Sequence, residues 1–213
     1  RGTPLCEILE DIGYFTAPVM CYFLTEGYVY TRSKFQYGFR LVLFAVISQI
    51  PFRLAFGYQS LNMIFTLLCC FLILAVMENV DSQLLRMGLI TLLAFATVCS
   101  DWGVVAPLFT IFFYNGSGDR KQIARGFGAC YVIFAMLNVQ NYMNGEPGNW
   151  TVYAVFHALL SGLGILAAGM VILFFYNGKR MERGRNFSKW FFYLFYPGHL
   201  FLLYLVKMAL YPV

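Results

Sequence analysis

Charged side chains are scarce in this chain. Asp, Glu, Lys and Arg make up 12% of its 213 residues, about half the share of a soluble domain. With 60% hydrophobic residues and a mean hydropathy of +0.67, the apolar surface exceeds what a water-soluble core absorbs. Histidine is scarcer still, at two residues, and the six cysteines include no CxxC pair and no interleaved histidine. That spacing excludes a metal cluster; five of the cysteines lie in apolar runs, where a thiol acts as a small hydrophobe. Strict apolar–polar alternation over ten residues is missing, which excludes a membrane β-barrel. No linker or low-complexity run interrupts the chain, so a single domain over residues 1–213 is expected. No signal peptide is recognisable, and a start on Arg1 rather than Met points to a missing N-terminal segment.

What remains is an all-α, polytopic transmembrane bundle. Apolar segments fall at 12–31, 34–56, 61–80, 84–100, 103–115, 122–141, 151–177 and 190–211, close to the ~20 residues that a bilayer requires. This gives about eight spans. The fourth and fifth are short and separated by Asp101-Trp102-Gly103, so residues 84–115 form either two tight crossings or a re-entrant pair. The net charge of +5 is read as cytoplasmic loops rather than nucleic-acid binding. If the start of the first span faces out, the inner side holds Arg32, Lys34, Arg40, Arg86, Arg120, Lys121, Arg125, Lys179, Arg180, Arg183, Arg185 and Lys189. Arg1, Arg53 and Lys207 remain outside, as the positive-inside rule demands. Merging the fourth and fifth segments would put the two basic clusters on opposite sides. The pentapeptide FFYNG, at Phe112–Gly116 and again at Phe174–Gly178, is one helix-ending device used twice: interfacial aromatics, then Asn-Gly, then basic residues.

Polar residues inside the bundle carry the functional signal, because intramembrane charge avoids lipid. Glu26 and Arg40 flank the first inner turn at similar depth and are read as an ion pair or as two lining residues of a cytoplasmic pocket. In SQIPFR (48–53), Pro51 predicts a kink, with Ser48 and Gln49 available to unsatisfied backbone. Arg53 and Asp101 fall near outer helix ends, where they could pair. His157 is read as a packing residue. His199 lies about 13 Å of helical rise after Trp190, close to the bilayer midplane, beside Pro197 and Gly198. Pro197 is expected to open the helix locally and aim the imidazole inward, with the Tyr193 and Tyr196 hydroxyls on nearby turns.

These pieces in order, namely Pro18, Glu26-Gly27, Thr31, Arg40, Ser48, Pro51-Phe52, Asp101, Gly103, Tyr196-Pro197 and His199, resemble the TraX family of integral membrane proteins. The resemblance runs over nearly the whole chain. It departs at Gly13-Tyr14, where the family typically has Gly-Arg. It also implies an additional N-terminal helix with an Asp-His pair ahead of the residues present here. TraX is associated with N-terminal acetylation of pilin, and the family looks related to multi-pass acyltransferases. The resemblance therefore implies a bacterial cytoplasmic-membrane acyltransferase using acetyl-CoA.

The residue chemistry fits such a transfer. A neutral imidazole, His199, suits the base that takes the acceptor's proton, and Asp101 would orient it or pass the proton on. Donor phosphates need cations at the cytoplasmic mouth, where Arg32, Lys34, Arg40, Arg120, Lys121 and Arg125 are candidates, with Tyr196 as a further donor-binding residue. The acceptor is left open among a peptide N-terminus, a glycan hydroxyl and a small amine. The competing classes are a small-solute transporter and a structural membrane subunit. The first would show paired broken helices, and the second would not need Glu26, Arg40, Asp101 and His199 in the membrane.

Overall fold

The computed structural model describes residues 4–57, 60–143, 150–178 and 185–210. Among them the chain is helical and contains no strand. The helices are α1 (Pro4–Tyr30), α2 (Lys34–Phe56), α3 (Met63–Asn79), α4 (Gln83–Ala96), α5 (Val105–Asn115), α6 (Arg120–Met143), α7 (Trp150–Ser161), α8 (Leu163–Met170) and α9 (Arg185–Leu210). Three stretches are long and apolar enough to cross a membrane, namely Lys34–Phe56, Arg120–Gln140 and Val152–Phe175; α3, α4 with its extension and α5 are shorter apolar helices. The expected segments are all present. The first and last begin earlier than expected, at Pro4 and Arg185.

The chain forms two compact units. One comprises residues 1–29 and 105–177, the other residues 30–104 and 178–213. In the first unit, α5 and α6 are joined by a short turn in which Gly118 takes φ +87° and Asp119 caps α6. The Asp119 carboxylate accepts from the Lys121 amide at 2.8 Å, filling one of the donors a helix start leaves open. Phe113 then packs on Phe127 at 4.7 Å and on Phe109 at 5.8 Å, and all three rings are buried.

The segment expected as one helix over 151–177 is instead divided into α7, α8 and a π-helical turn at Val171–Phe175. Tyr131 explains the first break. Its ring fills the space a Cβ on Gly162 would need, and its hydroxyl donates to the Leu159 carbonyl at 3.2 Å. Gly169 likewise admits the Phe127 ring. Both FFYNG copies end a helical run, the first at Asn115 and the second after the π turn, where Gly178 takes φ +67°.

In the second unit α2 and α3 run antiparallel: Lys34 pairs with Glu78, Gly38 receives the Phe71 ring, and the Ala45 carbonyl meets Asn62. Helices α2 and α9 run parallel, since Phe44 stacks on Tyr193 at 4.9 Å while Lys207 donates to the Ala55 carbonyl further on.

Candidate functional site

The second unit gathers most of the polar side chains singled out from sequence. Its anchor is the start of α3. Asn62 is fully buried and caps α3 by accepting from the Ile64 and Phe65 amides at 3.0 and 3.3 Å. Its side-chain amide donates to the Ala45 carbonyl at 2.7 Å and to Gln49 Oε1 at 2.8 Å. Gln49 also accepts from the Asn62 backbone amide and donates to the Ser60 carbonyl. Gln49 thus serves backbone of the α2–α3 connection rather than of its own helix. Ser48, expected to do the same, is fully buried and its hydroxyl has no partner.

Between α4 and α5, a 3₁₀ turn (Thr97–Cys99) leads into Ser100–Val104. The connection docks on the α3 start through a single parallel bridge: the Leu61 amide donates to the Cys99 carbonyl, and the Asp101 amide to the Leu61 carbonyl. Buried Thr66 donates into the same loop, its hydroxyl lying against Ser100 Oγ and the Asp101 carbonyl. The turn is strained: Trp102 and Val104 take φ +58° and +62°, unfavourable for side chains of that size. Gly103 between them has no room for a Cβ, which would overlap the Thr97 carbonyl. The turn holds the Asp101 carboxyl, which accepts from the Trp102 amide; burial pushes it above the usual carboxylate range. Arg53, expected as its partner, is exposed, and among the described residues the two form no ion pair.

Helix α9 supplies the third wall. Tyr196 places its hydroxyl 3.1 Å from the Met63 amide and accepts from it, within electrostatic range of Asp101. His199 lies one turn on, its ring against Tyr196 at 5.4 Å and stacked on Phe195 at 5.2 Å. Its Nδ1 is 3.0 Å from the Phe195 carbonyl. A carbonyl only accepts, so Nδ1 carries the proton and Nε2 presents a lone pair. The expected local opening of the helix at Pro197 is not found: α9 is helical throughout. The imidazole is instead oriented by a carbonyl one turn earlier on the same helix.

At the other end of the α2–α9 contact, Arg40 lies beside the Tyr193 hydroxyl and sits over the Tyr37 ring at 5.6 Å. Its Nε is buried and has no acceptor. Glu26 belongs to the first unit, where it accepts from Tyr176 and Tyr22; the partners found for Arg40 are tyrosines of the second. Of the other basic candidates, Lys34 is committed to Glu78, Arg32 is exposed, and exposed Arg120, Lys121 and Arg125 stand in the first unit. Lys179, Arg180 and Arg183 lie outside the described residues. His157 packs among Tyr142, Tyr153 and Phe156, as expected of a packing residue. Among the described residues no group of His, Cys, Asp and Glu could hold a metal. Sequence reasoning passed over Asn62, although an Asn directly before an apolar run is a helix-start signal.

These apolar helices, three stretches of them long enough to cross a bilayer and many with large hydrophobic side chains exposed, define a polytopic α-helical membrane protein. The TraX protein family matches residues 4–207, and the chain belongs to that family. It is 33% identical over 222 residues to a probable fimbrial assembly protein FimC, serogroup H1, of Dichelobacter nodosus, covering 96% of this chain and 84% of the relative. No solved structure matches.

Proposed function

We propose that the chain is an acyltransferase of the bacterial cytoplasmic membrane that moves an acetyl group from acetyl-CoA to an amine or hydroxyl acceptor during fimbrial assembly. The observation that carries this reading is the orientation of His199, whose Nδ1–H is held on the Phe195 carbonyl so that Nε2 is free to take a proton. As the acceptor nitrogen or oxygen attacks the thioester carbonyl, Nε2 removes its proton. Collapse of the tetrahedral intermediate breaks the C–S bond, and the thiolate recovers that proton from the imidazolium. Tyr196, whose ring touches the imidazole and whose hydroxyl is held by the Met63 amide, fixes the position of the base, and the Asp101 turn docks on the same start of α3. In the second unit Arg40 favours an anionic donor. The name of the Dichelobacter relative supports a fimbrial subunit as the acceptor.

The test supplies the purified protein with acetyl-CoA labelled in the acetyl group, together with a pilin-type peptide, a glycan or a small amine. Label should move to one acceptor class. Transfer no faster than the uncatalysed rate for all three would sink the reading.

A further inference from the structure

Arg40 is half-buried, and among the described residues no carboxylate pairs with it. A guanidinium removed from water beside apolar rings is stabilised when an anion accompanies it. In this unit the Glu78 carboxylate is bound to Lys34, and Asp101 lies in the turn that docks on the start of α3. Among the described residues Arg40 has no acidic partner, and its Nε, fully buried, has no acceptor at all.

What surrounds Arg40 is built rather than incidental. The Tyr193 ring is stacked on Phe44, one turn along α2 from Arg40, at 4.9 Å and 23°. Its hydroxyl lies beside the guanidinium, and a phenol proton can be donated to an acceptor placed there. The Tyr37 ring lies under the cation at 5.6 Å and is pinned against Phe71 at 5.3 Å, where Gly38 makes room for that ring. The side chains are thus held by stacking on three helices, α2, α3 and α9. Their free hydrogen-bonding capacity is a guanidinium N–H and a phenol O–H, both donors.

We infer that Arg40 and Tyr193, backed by Tyr37, form an anion site that holds a phosphate group. The planar guanidinium fork matches phosphate oxygens, and the neighbouring phenol adds a neutral donor without adding charge. Water could satisfy Nε but would leave the charge uncompensated. The inference deepens the proposed function and rests on it only in naming the acyl donor's phosphates as one source. A lipid headgroup phosphate offers the same chemistry.

Binding separates these sources without requiring turnover. Coenzyme A and pantetheine, which lacks the phosphates, are titrated into the protein held in nanodiscs of neutral lipid, and melting is followed in nanodiscs with and without phosphatidylglycerol. Coenzyme A should bind, and Arg40→Met should weaken it by about tenfold or more while leaving pantetheine unaffected. Tyr193→Phe keeps the ring on Phe44 and should weaken coenzyme A by a smaller factor, which guards against an Arg40 variant that fails to fold. Stabilisation by phosphatidylglycerol that Arg40→Met or Tyr193→Phe abolishes, with no coenzyme A binding, would keep the anion site and remove the acyl-donor reading. Coenzyme A and phosphatidylglycerol effects equal in wild type and both variants would overturn the inference.

Discussion

The two units differ in how far their buried polar side chains tie separate elements together. In the unit of α1 and α5–α8, several hydroxyls close on their own helix. Thr25 donates to the Cys21 carbonyl, Thr110 to Ala106 and Ser161 to Ala158, each three or four residues back. In the unit of α2–α4 and α9 they reach between elements: Asn62 to Ala45, Thr66 to the Asp101 loop, Tyr196 to the α3 start. Among the described residues, the buried side-chain polar atoms left without a partner, Arg40 Nε and Ser48 Oγ, also belong to that unit. Local hydrogen bonds only hide a polar group in an apolar setting, whereas bonds between elements fix backbone and side chains in one geometry.

This contrast breaks most visibly at His199. Acetyl transfer by His199→Ala should fall by roughly 10²–10⁴-fold with the protein still folded and inserted. His199→Gln should fall as far, since an amide cannot take the proton; near-normal turnover in that variant would reduce the ring to a positioning residue. Next in size, Asn62→Ala removes a cap and two bonds between elements and should cost on the order of 2–3 kcal/mol in a denaturation assay. Thr110→Val in the other unit removes one local bond and should cost no more than about 1 kcal/mol. Equal losses would erase the distinction between the units.

The smallest effect concerns Asp101. Its carboxyl is raised in the folded protein by burial, so the unfolded chain releases that proton first as pH rises. Stability should therefore fall as pH climbs from the ordinary carboxylate range through the folded value, and Asp101→Asn should flatten that part of the profile. An unchanged slope in the Asn variant would assign the pH dependence to other groups.

The positions of the helices follow closely from sequence because helix-length apolar runs and their punctuation are local properties. Asn115 and Gly116 end α5 where the FFYNG pattern predicts, and Ser33 and Asn62 stand just before α2 and α3 as caps. Length and hydropathy already require a helical membrane protein, and the order of motifs from Pro18 to His199 already points to its family. The division at Gly162 was not legible, because its cause is the ring of Tyr131, thirty-one residues earlier in sequence. Pro197 read locally as a break, yet the helix carries it.

The candidate site was legible as a set of residue types and not as an arrangement. Composition marks His199, Asp101, Arg40 and Tyr196 as expensive in a membrane. Which nitrogen of His199 carries the proton depends on the Phe195 carbonyl, and which groups surround Arg40 depends on the packing that brings Tyr37 and Phe71 together. Segment length and hydrophobicity are sums over neighbouring residues, so the sequence alone determines them. Partnership is a choice among groups far apart in the chain, and only the packing of α2, α3, α9 and the strained Asp101 turn decides it.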